Sequence, residues 1–121
     1  MSVKRDKERI SKTGEHFTPP ALTEELLFSL PKEFWSSKDV KILEPAAGEG
    51  WMITCIVKKF THKDIKHILE SQIYAVELMF DNCVEIQNRL KNEFGYKMKY
   101  LVCADSLSYS MNFKEQDLFN H

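Results

Sequence analysis

Apolar positions along the chain cluster into short runs with abrupt ends, separated by stretches whose apolar residues recur at helical spacing. "DVKILEP" is β-branched and apolar up to a sudden break, which predicts a short buried strand stopping at Pro45. After Gly50, "WMITCIVKKF" is apolar with a basic end and predicts a mostly buried helix, with lysines near its negative C-terminus. "THKDIKHILE" predicts a short helix or turn, and "IYAVEL" a second strand. From Phe80 to Phe94, Cys83, Ile86, Leu90 and Phe94 share one face and Gly95 supplies the C-cap, the clearest helix in the chain. "KYLVCADS" predicts a third strand, ending at Asp105.

Upstream, Pro19 and Pro20 follow Thr18 as they would at an N-cap and first helical turn, predicting a helix through "ALTEELLFSL" that stops before Pro31. Residues 1–12 form a charged N-terminal arm with little to bury, and residues 13–121 form one domain without internal repeat or linker. The order is helix, then β-α-β-α-β, which calls for a Rossmann-like parallel sheet of about three strands with flanking helices and right-handed crossovers. A chain of 121 residues supports one such domain with a modest core.

Composition narrows the function classes. Hydrophobic residues make up 43% and charged residues 29%, a globular balance. With 17 basic and 18 acidic side chains, no global positive field advertises nucleic acid, so any DNA contact is local or comes through a partner. Lys4, Arg5, Lys7 and Arg9 can touch phosphate, although a short mixed-charge arm is ordinarily just solvated. The N-terminus has no apolar h-region and no run approaches the roughly 20 apolar residues of a membrane span, so the reading is a cytoplasmic protein without a membrane role. Cys55, Cys83 and Cys103 are widely spaced within apolar segments and read as small buried hydrophobes, with no metal site.

Ligands of open parallel sheets sit outside the carboxyl ends of the strands, so what each strand ends with is informative. The first ends in Glu44 and "PAAGEG", where Gly48 and Gly50 remove Cβ atoms at the bend, Ala46 and Ala47 keep the surface low, and the next helix presents free N–H groups. On its own this is either a tight turn or a ligand loop. The second ends in Glu77, where nucleotide-binding folds place an acid on the ribose hydroxyls, or where an acid is simply solvated. The third ends in Asp105, which can accept from the exocyclic amine of adenine or start a turn with Ser106. Three acids at one sheet edge fit a single adenosine-like ligand.

"GEHFTPP", "ILEPAAGEG", "IYAVEL" and "CADSL", in that order, resemble motifs X, I, II and III of class I S-adenosylmethionine-dependent methyltransferases, of the amino-methylating DNA adenine type. The likeness runs from about residue 13 to 108, and Ala47 stands where the family commonly has Cys. The resemblance implies S-adenosyl-L-methionine as cofactor. Phe17 and Thr18 would line its methionine end, with Phe17 packing in the core as the rival use. Glu44, Ala46 and Gly48 would flank the methionine and sulfonium, Gly50 would belong to the same cofactor-binding loop, and Glu77 would hold the ribose. Leu78 or Met79 would pack on the adenine, and Asp105 with Ser106 would read its amine.

No Asn/Asp-Pro-Pro-aromatic loop is present, so no catalytic residue is assigned within these 121 residues. The chain stops where the family would begin its fourth strand, beside the strand that ends in Glu44. An apolar "VKIL" edge is therefore expected to need cover from the C-terminal tail or from a second protein chain. Three readings follow: the cofactor-binding portion of a split or truncated DNA adenine N6-methyltransferase, a catalytically inactive methyltransferase-like binding or regulatory module, and a small α/β domain without a ligand.

Overall fold

The computed structural model describes residues 29–120. The charged arm, Phe17, Thr18 and most of the helix expected from residue 21 lie outside them, and Ser29 and Leu30, at the end of that segment, form a turn and bend. The elements are α1 (Lys32–Ser36), β1 (Ile42–Glu44), α2 (Trp51–Lys59), α3 (Ile65–His67), a π-helical turn (Ile68–Gln72), β2 (Ile73–Glu77), α4 (Phe80–Phe94), β3 (Tyr100–Cys103) and a 3₁₀ turn (Glu115–Asp117).

The three strands form one parallel sheet in the order β1-β2-β3, with Ile42 opposite Ile73 and Glu77 opposite Cys103. Alternation along each strand sorts its side chains between two faces. Ile42, Ile73, Ala75, Leu101 and Cys103 join the core with Ile53, Ile56 and Val57 of α2 and Ile86 and Leu90 of α4. Opposite them, Leu43, Tyr74 and Tyr100 stand in register across the three strands. Tyr74 and Tyr100 stack at 4.4 Å with Phe113 edge-on to Tyr74, while Leu43 stays exposed.

Helix α4 matches the sequence-based bounds because each of its signals is local. Asp81 sits in its first turn, Lys91 in its last, and Gly95 closes it at φ +86° with its N–H on the Lys91 carbonyl. Helix α2 begins where Gly50, at φ +88°, turns the chain and accepts from the Thr54 N–H. Lys58 of α2 pairs with Glu93 of α4 at 2.6 Å, joining their C-terminal turns.

Three expectations are corrected. The third strand stops at Cys103, and Asp105 lies in the turn beyond, because the Ala104 N–H makes the last bond to β2, on the Glu77 carbonyl. The tail covers the sheet edge opposite to the one expected to need it: Leu118 bridges Val102 antiparallel and the Phe119 N–H donates to the Leu101 carbonyl at 2.7 Å, both on β3. Among the described residues no strand pairs with the outer side of β1. Of the cysteines, Cys83 is fully buried, whereas Cys55 and Cys103 are partly exposed at the rim of the core. Among the described residues no helix is long and apolar enough to cross a membrane.

Candidate functional site

The carboxyl ends of the strands converge on Glu77, the last residue of β2, whose side chain is completely buried. A buried carboxylate is tolerated only when its oxygens are hydrogen-bonded. Here Oε1 accepts from the Gly48 N–H at 2.8 Å, and Oε2 accepts from the Met79 N–H and from Asn82 Nδ2, both at 3.0 Å. One acid therefore ties together the loop after β1, the end of β2 and the first turn of α4.

The glycine loop is held from several sides. Ala47 donates its N–H to the Val76 carbonyl, and Gly48, at φ +58°, turns its own N–H toward Glu77. A Cβ on Gly50 would meet Ile86 Cγ1 at 3.0 Å and Ile86 Cα at 3.4 Å, so the missing side chain lets the loop seat on α4. Arg89, also on α4, donates from Nε to the Glu49 carbonyl at 3.2 Å and faces Glu85. Gly50 thus has a packing role whatever the loop binds.

The remaining sequence-selected residues occupy this end of the sheet in varied ways. Glu44 Oε1 accepts from the Ala46 N–H at 3.2 Å, a bond within the loop, and Ala46 is buried. Leu78, Met79 and Phe80 form an exposed apolar run directly after Glu77, joined in exposure by Leu107 after β3. Asp105 is exposed, with Oδ1 accepting from the Leu107 N–H at 3.0 Å and its carbonyl receiving the Ser108 and Tyr109 N–H groups. Ser106 beside it is half-buried. No cluster of His, Cys, Asp and Glu suited to a metal occurs among the described residues.

Asn82 and Arg89 escape sequence reasoning. A polar residue in the first turn of α4, five positions after a strand-end acid, is a usable hint for Asn82. Nothing local to Arg89 points to a carbonyl forty residues away.

Chemically, the arrangement offers a carboxylate at the end of β2, an apolar surface next to it, a second carboxylate after β3, and a low glycine loop capped by the N-terminus of α2. That sequence of groups can take a vicinal diol, a flat apolar ring and an exocyclic amine. Three protein donors already bond the Glu77 carboxylate. A carboxylate has about four acceptor sites, so a vicinal diol could bond Glu77 only by using the remaining one and displacing a protein N–H.

No family model and no curated protein matches the chain. Among solved structures it is similar to the cryo-EM structure of a DrdV–DNA complex, with a TM-score of 0.52 and 20% sequence identity, over 84% of this chain and 11% of that one. The chain thus spans about a tenth of the length of the protein it resembles. At that identity the likeness speaks to architecture alone: an incomplete Rossmann-like α/β fold, a three-stranded parallel sheet with flanking helices.

Proposed function

We propose that this chain is the S-adenosyl-L-methionine-binding portion of a DNA adenine N6-methyltransferase. Methyl transfer then requires an Asn/Asp-Pro-Pro-aromatic loop supplied by a further segment or a partner chain. The observation that carries the reading is the junction at Glu77: its carboxylate bonds the Gly48 amide while Leu78 and Met79 expose apolar surface immediately beyond. The ribose sits at Glu77, the adenine lies on Leu78 and Met79, and Asp105 with Ser106 meets its amine. Glu44, Ala46 and Gly48 border the methionine and sulfonium, and Phe17 and Thr18 serve the methionine end. A second protein chain attaches along the outer side of β1, where no strand pairs among the described residues, and DNA reaches the complex through that partner. The DNA in the complex of the similar DrdV structure agrees with this reading without assigning a contact to this chain.

A second reading, a catalytically inactive methyltransferase-like binding or regulatory module, is favoured by the same carboxylate. Glu77 is satisfied by protein donors before any ligand arrives, as a purely structural clamp would be.

Titration calorimetry of the full chain with S-adenosyl-L-methionine tests the first reading. Saturable heat is expected, with Asp105→Ala weakening affinity by about tenfold through loss of one charge-assisted hydrogen bond. No heat and no thermal shift, for parent and Glu77→Ala alike, would remove the cofactor from both readings. If binding is present, methyl transfer to adenine-containing DNA after adding a polypeptide that carries the missing loop separates the split enzyme from the inactive module.

A further inference from the structure

Two thiols meet behind the strand ends. Cys83, the fourth residue of α4, is fully buried and donates to the Glu77 carbonyl at 3.6 Å. Cys103, the last residue of β3, lies opposite Glu77 in the sheet register and donates to the next carbonyl, that of Leu78, also at 3.6 Å. The two thiols therefore bond consecutive carbonyls of the segment that leads from β2 into α4. Cys103 is partly exposed and borders a surface depression of about 280 Å³ shared with Phe80, Asp117 and Phe119. Cys103 thus stands at the surface beside a depression that admits a small oxidant, while the buried Cys83 is bonded to the neighbouring carbonyl. Burial, ahead of the neighbouring Cys103, pushes the Cys83 thiol well above its ordinary range, so it is protonated at neutral pH.

We propose that Cys103 and Cys83 form a peroxide-responsive thiol pair, Cys103 being the sulfur that is oxidised and Cys83 the one that resolves it into an intramolecular disulfide. The Cys103 thiolate attacks one oxygen of hydrogen peroxide. The O–O bond breaks, the sulfur becomes a sulfenic acid, and the departing hydroxide takes a proton to become water. Cys83 then attacks that sulfur and gives up its proton as the S–O bond breaks and a second water leaves. Two thiols lose two electrons in total, and one peroxide gains them. The new bond joins the first turn of α4 to the end of β3 and removes both thiol hydrogen bonds from the Glu77 and Leu78 carbonyls. Cys55, on α2, takes no part.

The pairing rests on the thiols' hydrogen bonds to consecutive carbonyls and on the strand register, and is independent of the cofactor reading. The test treats the folded full chain with a small excess of hydrogen peroxide at neutral pH, alkylates remaining thiols in denaturant, and maps the peptides. The expected result is a linked Cys83–Cys103 peptide two hydrogens lighter, Cys55 alkylated, reversal by dithiothreitol, and a thermal midpoint several degrees higher in the oxidised form. In Cys83→Ser the sulfenic acid on Cys103 should persist and be captured by dimedone, and in Cys103→Ser Cys83 should remain reduced. A link through Cys55, or Cys103 driven to sulfinic acid while Cys83 is still alkylated, overturns the proposal. So does a chain that keeps all three thiols. The wild-type map alone decides if a variant does not fold.

Discussion

Glu77 and Gly48 are twenty-nine residues apart in sequence and 2.8 Å apart in space, carboxylate oxygen to backbone N–H. Through this one bond the last residue of β2 fixes the shape of the loop that follows β1. Removing the acceptor should therefore loosen the loop, the strand end and the first turn of α4 together.

Glu77→Ala leaves the buried Gly48 donor and the partly buried Met79 and Asn82 donors without their acceptor, and an unpaired buried donor costs about 1–3 kcal/mol, less where water reaches it. Urea unfolding is expected to show a loss of about 3 kcal/mol or more. Asn82→Ala removes one donor and leaves the Met79 N–H on the same oxygen, so it should lose about 1 kcal/mol. Equal losses for the two variants would contradict the three-way tie.

Gly50 and Gly95 both adopt left-handed backbone, but only Gly50 is packed against a neighbour. Gly95→Ala meets open space and should cost about 1 kcal/mol of backbone strain. Gly50→Ala adds a 3.0 Å approach to Ile86 Cγ1 and should cost about 2–3 kcal/mol. Thermal unfolding of the pair reads the difference, and the reverse order would count against the seating of the loop on α4.

The Cys83 thiol, pushed up chiefly by burial, supplies a pH dependence with a definite sign. Because its folded value lies above the ordinary 9.0, the unfolded chain ionises first, and stability is lost as pH rises beyond about 9.0. Under reducing conditions the parent should weaken across that alkaline range relative to pH 7, and Cys83→Ala should weaken less. A parent and variant that fall in parallel would exclude Cys83 as the source.

Asp64 acts in the opposite pH range. Its carboxylate accepts from the His67 N–H and pairs with Lys38, and the His67 bond is the larger cause holding it below the ordinary 3.8. The stabilising contribution is full above pH 3.8 and is lost as pH falls through the lower folded value. Asp64→Asn should flatten that acid limb in a circular-dichroism titration, and an unchanged limb would assign it to other carboxylates.

Much of this could be read in the sequence where the signals are local. Phe80–Phe94 carries its periodicity and its glycine stop within fifteen residues, and Ile73–Glu77 is apolar up to an acid. What stayed hidden depends on distant contacts. Leu118 and Phe119 find β3 through backbone bonds that no side-chain pattern announces, and β1 is only three residues long although "DVKILEP" is apolar over a longer run. At the site, Glu44, Glu77 and the glycines stand where strand-end reasoning places them. Asp105 lies beyond its strand, and Asn82 reaches Glu77 and Arg89 the glycine loop from a helix whose own sequence does not name their targets.

Amide chemical shifts during titration with S-adenosyl-L-methionine test the proposed cofactor site most directly, because the carboxylate proposed to hold the ribose already accepts from Gly48 and Met79. In a ¹⁵N-labelled full chain, the Gly48 and Met79 resonances should move most and saturate together, with Leu78 and Ser106 following, as the diol displaces a protein donor from Glu77. Unmoved Gly48 and Met79 amides at saturating ligand, or shifts confined to other parts of the chain, would contradict it.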